Sequence, residues 1–206
     1  TPLERVLYPV FRENLDQVAQ GAAAVYTISE PMGQAYHALW KRPYEVFHGL
    51  LDTATWPWPE ERRADGIFTL AFTGSVEQGQ LLGLRDVATA VDQLAKGGMA
   101  IRLVLYLTEQ YEKMVAKEFA AFPQVAIRRH PDFTGLRTAL AETDLLVLAY
   151  GFDERTVGYY RYSFATKVVP YMLSGRCILV YGPDEIEPVA YARRGGWAIT
   201  VSKPGV

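Results

Sequence analysis

The sequence predicts an α/β protein built on an open, doubly wound and mostly parallel sheet. From residue 66 onward, apolar segments of strand length alternate with segments of helical periodicity, and this order is typical of parallel strands joined by right-handed crossovers. The predicted strands are nearly continuous runs of Val, Ile and Leu, which indicates that both faces of the sheet are covered. Six such strands are too few for a closed barrel of eight βα units, so an open sheet is favoured.

The elements of this region follow from the same periodicities. Strands are predicted at residues 67–73, 101–106, 125–129, 145–149, 177–181 and 197–201. Helices are predicted at residues 80–96, 108–121, 133–141, 164–173 and 184–194. The stretch 151–162 is expected to be a long loop.

The first part of the chain predicts a partial α/β segment and a linker. Its elements are a helix at 3–18, a strand at 23–28, a helix at 31–40 capped by Ser29, and a strand at 44–47. Two Trp-Pro pairs then interrupt all periodicity and favour extended chain. The predicted organisation is a partial N-terminal segment at 1–48, a linker at 49–65 and the sheet domain at 66–206.

Composition excludes several classes of protein. Of 206 residues, 50% are apolar, and the formal net charge of −2 gives no bulk attraction to nucleic acid. The single cysteine, Cys177, excludes an internal disulfide framework and is expected to be an inert core thiol. No residue stands at zinc-ligand spacing from a histidine, so no metal site is predicted. Neither a leader nor a membrane-length apolar run is present, so a cytoplasmic location is expected, either free or peripheral to the inner membrane. The abrupt ends indicate an excerpt of a longer protein.

Two segments at the carboxyl ends of predicted strands offer groups that suit an anion. The turn at Gly74-Ser75 has small residues that let backbone N–H groups approach a phosphate; the alternative is an ordinary tight βα turn. Ser163 is placed to cap a helix that begins at Phe164, with Lys167 one turn inside it. Hydroxyl, helix end and ammonium would then converge on one anion; the alternative is a simple cap and a solvated surface charge.

The stretch 159–183 resembles the donor-binding signature of the GT-B-fold retaining glycosyltransferases of the "group 1" family. The matching residues are Ser163, Lys167, Tyr171, Ser174, Gly175 and the strand 178–183. Weaker similarities in the same order cover residues 24–32, 46–52, 72–75 and 125–148. The resemblance implies a Rossmann-like donor domain, preceded by the end of an acceptor-binding domain. It implies a nucleotide-diphosphate sugar such as a UDP- or GDP-sugar as substrate, and no separate cofactor.

Two positions depart from the family pattern. Tyr162 and Pro170 stand where the family usually has glutamates, the second of which contacts the ribose, so ribose recognition in the usual manner is in doubt. Pro170 also falls inside the predicted helix, which must therefore start later or bend.

Carried over residue by residue, the resemblance predicts a donor site formed from several strand ends. Gly74 and Ser75 are expected on one side of the diphosphate, and Ser163, Thr166 and Lys167 on the other. The base is expected near residues 129–133, and the predicted contacts there are Arg129, His130 and Phe133. Phe133 either stacks on the base or packs in the core.

Two further side chains are ambiguous, and no catalytic residue is predicted. Arg85 either replaces a basic residue that the family places after the first loop or is a surface charge. Tyr106 ends a strand near the same edge, and core packing is its default interpretation.

The sequence therefore leaves two functions open. In the first, the chain is part of a glycosyltransferase with an unknown acceptor (a glycan, a lipid-linked or a small molecule), and alone it binds nucleotide weakly and turns over little. In the second, motivated by Tyr162 and Pro170, it is a Rossmann-like module without donor binding that acts in protein interaction or scaffolding. A dehydrogenase or a response regulator is disfavoured, because neither the glycine fingerprint nor the acidic cluster is present. A homo-oligomer is left open.

Overall fold

The computed structural model describes residues 2–54, 56, 65–130 and 132–204. Its first part contains α1 (Pro2–Gly21), β1 (Tyr26–Thr27), α2 (Glu30–Trp40) and β2 (Glu45–Val46). The two strands form a small parallel sheet of their own. As predicted, Ser29 caps α2, because its hydroxyl accepts a hydrogen bond from the backbone N–H of Met32 at 3.3 Å.

The remaining strands form one six-stranded sheet in the order β5-β4-β3-β6-β7-β8, and all neighbouring pairs are parallel. The strands are β3 (Phe68–Gly74), β4 (Ile101–Leu107), β5 (Val125–Arg129), β6 (Leu145–Ala149), β7 (Cys177–Tyr181) and β8 (Ile199–Val201). The helices are α3 (Gln78–Lys96), α4 (Glu109–Glu118), α5 (Phe133–Ala141), α6 (Glu154–Tyr160), α7 (Val168–Leu173) and α8 (Glu187–Gly195). The predicted doubly wound α/β fold is confirmed. None of the helices in the described ranges is both long and apolar enough to cross a membrane.

The strand order creates a switch point between β3 and β6. From β3 the chain moves outward to β4 and β5, and it then returns through α5 to start β6 on the other side of β3. Pairing between β3 and β6 covers Leu70 and Ala71 only, so the strands separate toward their carboxyl ends. Ligands of open α/β sheets bind in this kind of crevice.

Apolar side chains cover both faces of the sheet, as the unbroken Val and Ile runs predict. One face packs under α3 and α4 around Phe72, Leu84 and Leu105. The other packs under α5, α7 and α8, and Leu140 and Tyr171 are fully buried there. Burial of each such side chain stabilises the fold by about 1.5–3 kcal/mol.

A glycine lets α3 approach the end of β6. A Cβ at Gly83 would collide with the backbone of Ala149 and Tyr150. The absence of a side chain at this position therefore allows α3 to lie close to the carboxyl edge of the sheet.

Three expectations from the sequence are wrong. The stretch 151–162 is not a long loop, because it contains α6, whose first turn is capped by Asp153 through the Thr156 N–H at 3.0 Å. The helix predicted at 164–173 begins only at Val168, which places Pro170 in the first turn, where its missing N–H has no intrahelical partner to lose. Cys177 is exposed rather than buried, since it lies at the first position of β7.

Candidate functional site

A cavity of about 400 Å³ lies at the carboxyl end of β3, beside the start of α7. This volume lies in the range of small-molecule sites. Apolar side chains form part of the wall, and a glycine turn, hydroxyl groups, an imidazole and an ammonium form the rest. The lining residues are Gly49, Leu50, Leu51, Trp56, Thr73, Gly74, Ser75, His130, Leu136, Thr166, Lys167, Val169 and Pro170.

Lys167 is the principal charged group of this cavity. Its side chain is half-buried, but its Nζ is enclosed and has no hydrogen-bond partner among the described residues. The nearest aromatic ring is that of Phe72, whose centroid lies 3.7 Å from Nζ. Burial disfavours the charged form and lowers the pKa of Lys167 to about 7. Lys167 therefore lines a space of ligand size, and its ammonium has no hydrogen-bond partner in the part of the chain that the structure describes.

Gly74 lines the same space directly beside Lys167. It ends β3 with a φ of +102°, a conformation that side-chain-bearing residues rarely adopt. A Cβ built at Gly74 would lie 3.7 Å from Lys167 Nζ, so the turn and the ammonium are direct neighbours. This is the juxtaposition that the sequence predicts for these two segments.

The structure brings together five of the eight predicted site residues. Gly74, Ser75, His130, Thr166 and Lys167 all line the cavity. Ser75 and Thr166 are exposed, so their hydroxyl groups are accessible to a ligand. The backbone N–H of His130 donates to the Leu107 carbonyl at 2.6 Å, which fixes the residue directly after β5.

Ser163 and Arg129 do not line this cavity. Ser163 lies five residues before α7 and does not cap it; its N–H donates to the Tyr160 carbonyl at 3.1 Å. Arg129 is exposed and ion-paired with Glu109 and Glu112 of α4 at 3.5 Å and 3.2 Å. Both predictions assume that sequence proximity to a strand or helix end brings a side chain into the crevice. The later start of α7 leaves Ser163 outside that helix, and the two ion pairs hold Arg129 against α4.

The helix end also contributes less than the sequence predicts. Because α7 has only six residues and Lys167 occupies its N-cap position, its aligned peptide dipoles are few. The positive charge at this place therefore comes mainly from the Lys167 ammonium and not from the end of α7.

Arg85 is a surface charge and Tyr106 is a core residue, which were the default interpretations of these two side chains. Arg85 forms an ion pair with Glu118 at 3.6 Å on the outer surface of α3 and α4. Tyr106 is buried in the core beneath α5. Phe133 begins α5, but its side chain lies outside the part of the structure that is described.

The sequence did not predict the apolar wall. Leu50, Leu51 and Trp56 come from the segment interpreted as a linker, yet they line the cavity and Trp56 is only 6% exposed. The Trp-Pro pairs predict extended chain, and only long-range packing decides which surface that chain covers.

A second cavity, of about 310 Å³, lies between α3 and the sheet, and residues of β3, β4, β6, β7 and β8 line it. Its walls are mainly apolar, and Asp86 there already accepts a hydrogen bond from the Tyr181 hydroxyl at 2.7 Å. The cavity beside Lys167 contains an enclosed ammonium that has no hydrogen-bond partner among the described residues, and it is therefore the better candidate site.

Comparison of the sequence with protein-family models and with curated proteins finds no match. Solved structures do match. The C-terminal domain of a group 1 family glycosyl transferase, LpcC from Francisella tularensis, superposes with a TM-score of 0.52 at 13% identity, over 74% of this chain and 80% of that one. This chain has the fold of a group 1 glycosyltransferase.

Two longer glycosyltransferases show the same fold. WaaG, which is involved in lipopolysaccharide biosynthesis, matches with a TM-score of 0.61 at 11% identity, over 90% of this chain and 51% of that one. TarM from S. aureus, solved in complex with fondaparinux, α-GlcNAc-glycerol and UDP, matches with a TM-score of 0.59 at 11% identity, over 93% and 36%. The chain therefore spans about half or less of the length of these two proteins. The similarity confirms the predicted Rossmann-like, GT-B type of fold.

Proposed function

We propose that this chain binds the nucleotide-diphosphate sugar of a glycosyltransferase, and that Lys167 contacts the diphosphate. The observation that carries the proposal is the enclosed Lys167 Nζ, which has no hydrogen-bond partner among the described residues and lies beside the Gly74 turn. The fold supports it, since solved neighbours are glycosyltransferases and one of them, TarM, holds UDP.

The proposed chemistry assigns one main task to this domain. Sugar transfer breaks the bond between the anomeric carbon and a diphosphate oxygen, and negative charge develops on the leaving diphosphate. The Lys167 ammonium, with hydrogen bonds from Ser75 and Thr166, stabilises that charge. The acceptor hydroxyl then bonds to the anomeric carbon and releases its proton. Residues 1–48 are, in this proposal, the end of the domain that binds the acceptor.

The nucleoside end of the site is expected to differ from the family pattern. Pro170 lines the cavity beside Val169, so apolar surface occupies the place where the resemblance leads us to expect a carboxylate. His130 and Leu136 lie at the other end of the cavity lining, after β5 and in α5.

Calorimetry with UDP, GDP and ADP tests donor binding by the full chain. We expect weak binding, with one nucleotide preferred, and its loss in Lys167→Ala. Lys117→Ala is the matched control, because Lys117 is exposed on α4, away from the cavity. Absence of heat with all three nucleotides at millimolar concentration would contradict the proposal.

A second function, a scaffold without donor binding, is favoured by one observation. Tyr162 is exposed at 41% and, like Pro170, supplies no carboxylate. Lys167→Ala in the intact enzyme separates the two functions, since a scaffold keeps its interactions while a donor site loses transferase activity. Unchanged activity would favour the scaffold.

A further inference from the structure

One fully buried residue, Tyr171, forms hydrogen bonds with both chain segments that carry Gly74 and Lys167. The phenol oxygen of Tyr171, in α7, accepts hydrogen bonds from the Thr73 N–H at 3.0 Å and from the Thr73 hydroxyl at 3.3 Å. The backbone N–H of Tyr171 donates to the Lys167 carbonyl at 3.1 Å. Tyr171 therefore connects the residue before Gly74 with the residue that supplies the ammonium.

The Tyr171 hydroxyl takes the place of a neighbouring strand beside Thr73, where β3 and β6 no longer pair. Thr73 lies two residues beyond Ala71, the last residue of β3 that pairs with β6. None of the described strands pairs with Thr73 on that side, and an unsatisfied buried N–H costs about 1–3 kcal/mol. The Tyr171 hydroxyl accepts the hydrogen bond from this N–H. The bond persists only while α7 and the end of β3 keep their observed separation.

We propose that Tyr171 is a positioning residue, which holds the Gly74 turn over the Lys167 ammonium and so keeps the anion site closed around it. The inference rests on the proposed function and adds a residue that never contacts the ligand. Burial raises the pKa of Tyr171 to about 12, so the phenol keeps its proton and its bonding pattern throughout the neutral range. Removal of its oxygen releases the turn, and water then reaches the Lys167 Nζ.

The test compares Tyr171→Phe with Tyr181→Phe. Tyr181 lies on the opposite face of the sheet, where its hydroxyl donates to Asp86 at 2.7 Å, so each variant removes one phenolic hydroxyl group from a tyrosine. We expect Tyr171→Phe to bind UDP about tenfold more weakly and Tyr181→Phe to bind it as the wild type does. Thermal melting verifies that both variants fold.

A second measurement follows Lys167 itself. The Cε resonance of Lys167 in 13C-lysine protein, assigned by its absence in Lys167→Arg, reports the protonation midpoint. We expect Tyr171→Phe to raise this midpoint toward that of an ordinary lysine, because the ammonium gains water, and Tyr181→Phe to leave it unchanged. A purely structural role would lower the melting temperature and move neither readout.

The outcomes separate the inference from the proposed function. Wild-type protein that binds UDP, with the same affinity and the same midpoint in Tyr171→Phe, overturns the positioning role alone. Wild-type protein that binds no UDP overturns the proposed function. In that case the protonation midpoint of Lys167 decides the positioning role. A higher midpoint in Tyr171→Phe than in the wild type supports the role, and an unchanged midpoint overturns it.

Discussion

Lys167 Nζ lies 3.7 Å from the centroid of the Phe72 ring, and no described group accepts a hydrogen bond from it. The face of a phenylalanine ring attracts a cation, but it replaces only part of the hydration that the ammonium loses. A lysine placed in this way is unfavourable for the folded state. Such arrangements cluster at functional sites, where a ligand supplies the missing interactions.

The first prediction concerns stability. The pKa of Lys167 is about 7 in the folded protein and has its usual value of 10.5 in the unfolded chain. Between these values the unfolded chain binds more protons, so wild-type stability rises with pH from about 7 to about 10.5, and the whole penalty is present below pH 7. We therefore expect Lys167→Met to raise the melting temperature clearly at pH 6 and less at pH 9.

Thermal melting at the two pH values checks this, with Lys117→Met as an exposed control. A melting temperature of Lys167→Met that equals the wild-type value at pH 6 would show that the ammonium carries no such penalty.

The second prediction concerns the pH dependence of ligand binding. An anion needs the protonated form of Lys167, whose pKa is about 7 in the empty site. Affinity for UDP should therefore fall as the pH rises above 7, and well above this pH it should fall by about tenfold for each pH unit. Binding above this pH should also take up a proton, which calorimetry in buffers of different ionisation enthalpy detects.

The control for this prediction is Lys167→Arg, because a guanidinium stays charged throughout the range. Its binding should be weaker or similar at pH 7 but independent of pH. A flat wild-type profile from pH 7 to 9 would contradict the assignment of Lys167 to the anion.

The third prediction concerns the turn. Gly74 has a φ of +102°, and a side chain there strains the backbone by about 1–3 kcal/mol. Since an added methyl group would meet Lys167 only at ordinary contact distance, we expect Gly74→Ala to act through the backbone and to lower both the melting temperature and UDP affinity. Gly158→Ala in α6 is the control, because a Cβ there meets nothing within 4 Å. If Gly74→Ala and Gly158→Ala have the same melting temperature and the same affinity for UDP, the backbone conformation of Gly74 is not required for the site.

Most of the fold follows from the sequence for a simple reason. Strands buried on both faces need uninterrupted apolar residues, so runs such as those of β4 and β6 are visible without any structure. The exception is α6, where seven residues rich in tyrosine and charge leave too short a pattern for a helical period. The Asp153 cap was its only local signal, because Asp is a preferred N-cap residue.

The site was predictable only in part. Gly74 and Lys167 follow from strand ends and from the family resemblance, because both are set by local chain order. The predicted cap at Ser163 is wrong, because Pro170 is compatible with two helix starts and α7 begins only at Val168. The contributions of Leu50 and Trp56 depend on contacts between residues far apart in sequence, which local periodicity does not encode.

The last prediction uses this apolar wall as a reporter. Trp56 lines the cavity and is 6% exposed, whereas Trp40 lies against α1, where its indole N–H donates to Asp16 at 2.7 Å. A nucleotide in the cavity changes the surroundings of the Trp56 indole, so titration with UDP should alter tryptophan emission. Trp56→Phe should abolish most of that change, and Trp40→Phe should retain it. If the emission change survives in Trp56→Phe and disappears in Trp40→Phe, the nucleotide binds beside the N-terminal helices and not at the carboxyl edge of the sheet.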